Sequence, residues 1–393
     1  MANVTINGAA FQTLFARSSE HGIVWTTPDV GYAIHLDSDR NVLYQKTADA
    51  GVTWGSEIQI DAGTTNAFIA VWYDKWTSEA SGTEIHVAYH DGNNVSYRGL
   101  DTSDDSLSTQ TTVFSGTSAS AANLNDGQTA IVKSRGGNLY VASHIDGGGE
   151  IDFSRSTDGG ANWTSRTDVY DGNQDRVILT PGSEADNQDI WGFYKDISAN
   201  ELSIKVYDNS GNSWAETAIE SYVAEDDEFL MMGASHRQSD NHTILCSIND
   251  FDTATADLNV WDVASAASIT AKTVVLANAA EMVDCRMLIN QQNDDLYCVY
   301  SRGGTLFSSM TLRYKLSDDG GDTWGTETSL SQSADDFRWL SASHSIGDDG
   351  GRVSPIWFND DLNDVLVNNS LSVEIAAAGA VSIAVLRRRY EGY

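Results

Sequence analysis

One short pattern returns seven times along this chain at nearly constant spacing, and that periodicity narrows the fold more than any single residue does. Alternating apolar residues run into an acidic turn at Asp37 (AIHLDSD), Asp91 (VAYHDGN), Asp146 (ASHIDGG), Asp196 (GFYKDIS), Asp250 (CSINDFD) and Asp360 (IWFNDDL). In a seventh copy, CVYSRGG, Arg302 takes the place of the acid. The steps between copies are 54, 55, 50, 54, 52 and 58 residues. A second alternating run follows each copy: NVLYQK, NVSYRG, EIDFSR, ELSIKV, DLNVWD, TLRYKL and DVLVNN. A further apolar run precedes most copies (AFIAVWY, TAIVKS, RVILTP, FLMMGAS), and another closes most units (SEIQI, TTVFSG, RTDVYDG). Period-2 alternation broken by Gly, Asn and Asp is the mark of short strands joined by tight turns. No stretch shows helical periodicity over ten residues or more.

Units of roughly 50 residues with four strands each are the signature of radial repetition. One four-stranded sheet with two apolar faces cannot bury both by itself. Packing sheet against sheet around a ring buries them all and leaves only short edges. The expected fold is therefore all-β: a seven-bladed β-propeller of four-stranded antiparallel blades, with six blades as the alternative. It occupies residues 21–373 as one domain. Residues 1–20 are expected to offer a ring-closing strand. Residues 374–393 read as a C-terminal strand with a basic tail at Arg387, Arg388 and Arg389.

Charge removes several functions. Lys and Arg number 23 against 56 Asp and Glu, a net charge of −33. A field of that sign repels phosphate backbones and anionic headgroups, so nucleic acid is excluded as a partner. No segment has the apolar length of a membrane-spanning helix. The first twenty residues lack the basic and apolar regions of a secretory signal, so no classical signal peptide is expected. The acid excess would suit high ionic strength, where screening removes self-repulsion. Cys246, Cys285 and Cys298 are too few for a disulfide framework and read as buried small hydrophobes.

A second motif sits in the turn after the third strand of several units. It is complete at Ser156-Thr157-Asp158-Gly159-Gly160-Ala161-Asn162-Trp163 and at Ser317-Asp318-Asp319-Gly320-Gly321-Asp322-Thr323-Trp324. Looser copies carry Asp49, Gly51 and Trp54, and Gly211 and Trp214. The carboxylate can accept hydrogen bonds from turn amides. The second Gly supplies a backbone conformation closed to residues with a Cβ. The Trp folds back over the hairpin. This S/T-x-D-x-G-x-x-W pattern resembles the Asp-box, or BNR repeat, of sialidase-like β-propellers. The resemblance implies that these residues are structural, on the periphery of the ring.

In that family, the resemblance further implies, three arginines grip the substrate carboxylate, a Tyr paired with a Glu is the nucleophile, and an Asp is the acid/base. The usual N-terminal Phe/Tyr-Arg-Ile-Pro motif is missing here. Arginines near strand ends are Arg135, Arg237, Arg286, Arg302 and Arg338, and Tyr300 beside Arg302 is the most suggestive nucleophile. No pairing in the sequence selects one Tyr and one Glu. Trp72, Tyr73 and Trp76 lead into a loop and are candidates for a sugar-stacking platform, with core packing the favoured reading. No transition-metal motif appears and no cofactor is expected. The acid clusters Asp226-Asp227-Glu228, Asp318-Asp319-Asp322 and Asp360-Asp361 offer a weak case for Ca²⁺, without regular ligand spacing.

These readings favour a non-enzymatic recognition or structural propeller. A compositional likeness to propellers carried by tailed viruses adds an expectation. It would be a virion or extracellular surface protein binding a host surface glycan or protein, joined to other virion or assembly subunits through the C-terminal tail. The alternative is an exo-acting, sialidase-like glycoside hydrolase with a diverged active site.

Overall fold

The computed structural model describes residues 3–8, 22–63, 65–92, 94–116, 129–144, 150–171, 177–196, 199–221, 232–249, 256–277, 282–305, 308–330, 337–347, 350–359, 364–368 and 371–373. The expected basic tail at 374–393 lies outside them, as do the repeat acids Asp146, Asp250 and Asp360.

The chain is an all-β propeller. Six blades are built from consecutive antiparallel strands, in order from the hub outward. Blade one is Ile23–Trp25, Gly31–Leu36, Val42–Thr47 and Ile58–Asp61. Blade two is Ala67–Tyr73, Glu84–His90, Asn94–Asp101 and Thr111–Ser115. Blade three is Thr129–Lys133, Leu139–His144, Glu150–Ser156 and Thr164–Ser165. Blade four is Val177–Pro181, Ile190–Asp196, Glu201–Asp208 and Ser213–Ser221. Blade five is Met232–Arg237, His242–Asn249, Asp257–Ser265 and Ser268–Ala271. Blade six is Met282–Asn290, Asp295–Thr305, Ser308–Ser317 and Thr328–Ser329.

A further four-stranded sheet closes the ring from both ends of the chain. Phe337–Ser341, Ile356–Asn359 and Asp364–Asn368 supply three of its strands, and the outermost is the N-terminal Asn3–Asn7. Its register pairs Val4 with Val367 and Thr5 with Leu366. At the hub, Gly22 donates to Ser341 Oγ at 2.9 Å. Ile23, Trp25, Ala33, Ile356, Phe358, Val365 and Val367 form one buried cluster between blade one and this sheet. The first and last segments are thus tied by hydrogen bonds and by apolar packing, which removes the free edges an open ring would leave.

Chain order fixes what each end of the ring displays. In an antiparallel blade, the turn between strands one and two and the turn between strands three and four share one end. The turn between strands two and three, and the link to the next blade, share the other. The repeated acids Asp37, Asp91 and Asp196 stand at the second end. The motif turns stand at the first.

The complete motif turns are knit by hydrogen bonds. The Ser156 hydroxyl accepts from Gly160 N at 2.8 Å and donates to Asp158 Oδ1 at 2.8 Å. Asp158 in turn accepts from Asn162 N at 2.9 Å. Ser317, Asp319, Gly321 and Thr323 repeat this arrangement, as do Thr47, Asp49, Gly51 and Thr53. Gly160 has φ +90°, and a Cβ there would lie 2.0 Å from Tyr97, so geometry and space both demand glycine. Each indole reaches the preceding blade: Trp163 donates to Thr111 Oγ1 at 3.1 Å and Trp324 to Thr273 O at 2.8 Å.

The turn at Tyr207–Trp214 departs from the expected pattern. Trp214 still reaches Thr167 O at 2.9 Å, but Gly211 is not left-handed, and Asn212 takes that conformation at φ 51°. Asp208 accepts the turn amides, because the Asn209 carbonyl is already held by Tyr140 and Arg155.

Candidate functional site

The hub is filled at the end that carries the motif turns. The segment after Tyr73 forms a 3-10 turn at Asp74–Trp76 and crosses toward blade five. There Ser78 Oγ lies 2.9 Å from His236 Nε2 and donates to Asn241 Oδ1 at 2.6 Å. Trp72 packs 4.6 Å from His344, and Trp76 5.5 Å from it, centroid to centroid. Trp72, Tyr73 and Trp76 are all buried. Their rings are packed in the hub, as the favoured core-packing reading has it, and not laid out on the surface as a platform. The loop's acid, Asp74, accepts from His86 at 2.9 Å and pairs with Lys133. Burial opposes its charge, but His86 and Lys133 prevail and hold its carboxyl well below the usual range.

Most of the candidate arginines have local partners. Arg135 donates to Gly182 O and Glu184 O. Arg237 is paired with Asp240 and Asp262 at 2.7 and 2.9 Å. Arg286 is buried against Asp284 at 2.5 Å. Arg338 lies on the inner strand of the closing sheet, in register with Phe358. Four of the five candidates, Arg302 included, are thus engaged by neighbouring carboxylates or carbonyls.

Tyr300 and Arg302 do acquire partners. Tyr300 donates to Glu327 Oε2 at 2.7 Å. Arg302 stands 3.3 Å from the same carboxylate, and Arg313 pairs with its other oxygen. Tyr300 and Arg313 are register partners on adjacent strands, and Glu327 precedes the outer strand of the same blade. Tyr300 has no exposed surface. Burial, then the hydrogen bond to Glu327, push its hydroxyl well above the usual phenol range. Burial also disfavours ionised Glu327, but Tyr300 and the two arginines outweigh it and hold that carboxyl below its usual value. Glu327 and Arg313 escaped the sequence reading because only strand register brings them to Tyr300.

Chemistry of another kind gathers at the opposite end, between blades one and two. A cleft of about 750 Å³ is lined by Asp39 and Asn41, by Asp61, Ala62, Gly63, Thr65 and Asn66, by Asp91 and Asn94, and by Gln110. Three Asp–Asn pairs ring it. Asn41 Nδ2 donates to Asp37 at 2.7 Å, Asn66 Nδ2 to Asp61 at 3.0 Å, and Asn94 Nδ2 to Asp91 at 3.0 Å. A carboxylate can only accept, so each pair fixes which end of the amide is carbonyl. Asn66 is completely buried, and its Oδ1 has no hydrogen-bond partner. The sequence carries a trace of this in Asp and Asn set three to five residues apart, but it does not show that the three turns meet.

The weak Ca²⁺ clusters fare differently. Asp226-Asp227-Glu228 and Asp360-Asp361 lie outside the described residues. Asp319 is engaged by its own turn and Asp322 by Lys272 at 3.1 Å. Among the described residues, the acids with ligand atoms within 4.8 Å of one another are Asp196, Glu201 and Glu216. Lys205 sits 3.7 Å from that Glu216. The three cysteines are buried, with Cys246 Sγ 3.7 Å from Cys285 Sγ across neighbouring blades.

No protein-family model matches the chain, and no curated protein matches it. Solved structures do. An ulvan lyase of polysaccharide lyase family PL25, bound to a glucuronate–sulfated rhamnose fragment, aligns over 95 % of this chain and 96 % of its own, with TM-score 0.62 and 10 % identity. Kuenenia stuttgartiensis hydrazine synthase aligns over 91 % of this chain and 98 % of its own, with TM-score 0.54 and 10 % identity. A Hadza microbial sialidase aligns over 85 % of this chain and 73 % of its own, with TM-score 0.48 and 10 % identity. At such identities the ulvan lyase and hydrazine synthase matches support the fold alone, and a fold shared by two such different proteins assigns no chemistry.

Proposed function

We propose that this chain is a non-enzymatic recognition propeller that binds glycan through the end of the ring bearing the strand two–strand three turns. The S/T-x-D-x-G-x-x-W turns support grouping it with the Asp-box propellers. The observation that carries the non-enzymatic reading is the burial of Tyr300. A nucleophile must come within reach of an anomeric carbon, and this hydroxyl is enclosed and committed to Glu327. The two arginines beside it both pair with that glutamate. Display of many copies on a virion or extracellular surface belongs to the same proposal, since avidity turns weak single sites into firm attachment.

The rival reading, an exo-acting hydrolase, draws on the same four residues, Tyr300, Glu327, Arg302 and Arg313. A fluorogenic sialoside assay separates the two. The expected result is no turnover by the wild-type chain while a glycan array reports binding. Turnover that disappears in Arg302→Ala would replace the recognition reading with the hydrolase.

A further inference from the structure

We infer that Cys246 and Cys285 are a disulfide-forming pair, a latch across the seam between blades five and six that closes when the chain folds in the presence of a low-molecular-weight disulfide. The inference is independent of the recognition reading above. Four observations carry it.

The first is proximity across two sheets. Cys246 lies on strand His242–Asn249 of blade five, and Cys285 on strand Met282–Asn290 of blade six. Cα atoms of these two strands come within 8 Å of one another, and the two sulfurs stand 3.7 Å apart. A disulfide holds its sulfurs at about 2.05 Å. The remaining approach is within reach of χ1 rotation on both sides.

The second is the backbone contact that sets the seam. Gly233 is the register partner of Cys246. A Cβ built on Gly233 would stand 2.8 Å from Arg286 Cα and 3.1 Å from Cys285 O. Those are main-chain atoms and cannot swing aside. Glycine at this position therefore lets the inner strand of blade six lie directly on blade five, with Cys285 against Cys246.

The third is the inequality of the three thiols. Cys285 and Cys298 are 13 residues apart, but Cys285 stands opposite Tyr300 and Cys298 opposite Met287, so they are not register partners. Burial opposes ionisation of Cys246, but the neighbouring thiols of Cys285 and Cys298 and the charge of Arg286 outweigh it and hold Cys246 below the usual thiol value. Burial raises Cys285 and Cys298. The thiolate is the attacking species in disulfide exchange, so Cys246 is the nucleophile and Cys285 resolves.

The fourth is enclosure. None of the three cysteines has exposed surface. A reagent the size of glutathione cannot reach them in the closed ring, whether it oxidises or reduces. The bond is therefore set as blade six docks on blade five and is kept afterwards. Its state records the redox poise met during folding.

The exchange balances. The Cys246 thiolate attacks one sulfur of glutathione disulfide, whose S–S bond breaks and releases one glutathione thiolate. Cys285 gives its proton to that leaving thiolate and attacks Cys246 Sγ, which releases the second glutathione. Glutathione takes up the proton from Cys246 as well. Two protein thiols are oxidised, and one glutathione disulfide is reduced to two thiols.

The test refolds the full chain from urea in a buffer of reduced and oxidised glutathione, caps the remaining thiols, and maps tryptic peptides without reduction. Cleavage after Lys272 and Arg286 puts the three cysteines on three separate peptides. The expected map shows one linkage, Cys246 to Cys285, with Cys298 capped. Cys298→Ala keeps that linkage, and the oxidised ring melts about 5 °C above the reduced one. In urea the same buffer should favour Cys285–Cys298, because 13 residues close more readily than the 39 between Cys246 and Cys285. Gly233→Ala, which forces the strands apart, should cut the Cys246–Cys285 yield at least fivefold. If it prevents folding, the wild-type and Cys298→Ala maps still decide. Three capped thiols in a refolded ring overturn the latch. A linkage through Cys298 in the refolded ring overturns the pair. A Cys246–Cys285 bond that dominates equally in urea shows that the fold does not direct it. Oxidation of the folded, reduced ring as fast as that of the unfolded chain overturns its closure on folding.

Discussion

Tyr300 donates its phenolic hydrogen to Glu327 at 2.7 Å within a blade, where the tyrosine has no exposed surface. The pair has the composition of a glycosidase nucleophile and the placement of a structural tie. Cys298, on the same strand face as Tyr300, packs with Cys246 of blade five in one buried cluster, and Lys315 reaches across to Val275 O at 2.7 Å. The pair thus belongs to the packed layer between blades five and six. Tyr300→Phe should cost about 1 kcal/mol, the value of one buried hydrogen bond. Glu327→Ala should cost more, about 1–3 kcal/mol, because Arg302 and Arg313 then face each other without a counter-charge. Urea denaturation measures both. A nucleophile would behave in reverse: Tyr300→Phe would leave stability untouched and remove turnover.

The motif turns allow a matched pair of substitutions. Gly159 and Gly160 both have positive φ, at 71° and 90°. Nothing stands within 4 Å of a Cβ built at Gly159, whereas one at Gly160 meets Tyr97 at 2.0 Å. Gly159→Ala pays only for the backbone conformation, about 1 kcal/mol. Gly160→Ala adds overpacking against a buried ring and should cost about 2–4 kcal/mol in all. Equal losses in thermal or urea melts would mean that Tyr97 moves aside freely and that the turn is not a fixed contact between blades two and three.

Much of the architecture was legible because repetition and turn chemistry are local. The spacing of Asp37, Asp91 and Asp196 marks one end of successive blades, and Gly160 and Gly321 sit where their motif requires them. The Gly211 turn misled because the motif's acid position there is Asn209, whose carbonyl is captured by Tyr140 of the same ring and by Arg155. Trp72 and Trp76 could not be placed from composition. A loop-borne indole looks alike on a surface and across a hub, and only the reach of the loop to His236 and His344 decides. The cleft was invisible for the same reason. Its residues come from three turns of two blades, and the orphan state of Asn66 Oδ1 is a property of packing, not of sequence.

The surface charge predicts a response to salt. With a net charge of −33, the folded ring carries self-repulsion that mobile ions screen over a Debye length of about 10 Å at 0.1 M and about 3 Å at 1 M. The melting temperature should rise by several degrees between low KCl and about 1 M, with most of the gain at the dilute end. A melting temperature independent of KCl would show that the acids are compensated locally, pair by pair, as Asp105 is by Lys46 at 2.8 Å.

His236 predicts how the ring fails in acid. It is fully buried, with Nε2 2.9 Å from Ser78 Oγ in the segment that plugs the hub. Burial, with the Arg135 charge adding to it and Asp240 opposing, pushes its pKa down to about 3. In the unfolded chain it titrates near 6.5. Between those values the unfolded state binds a proton that the folded state refuses. The stability His236 permits is therefore complete above pH 6.5 and is lost as pH falls toward 3. Buried His35 is shifted in the same direction, chiefly by burial. Asp189 works against them: burial, with nearby Asp186, Glu184 and Asp208, pushes it up to about 6, so its folded form is favoured as pH falls through that window. The histidines should dominate, because they are the more deeply buried. Unfolding free energies from urea titrations should fall by about 1–3 kcal/mol between pH 7 and 4.5 in the wild-type chain. His236→Gln, which keeps an amide near Ser78 and cannot be protonated, should start lower at pH 7 and lose less on acidification. Equal slopes for the two proteins would mean that the hub opens to water before the histidine is asked to ionise, and that the Ser78 contact does not seal it.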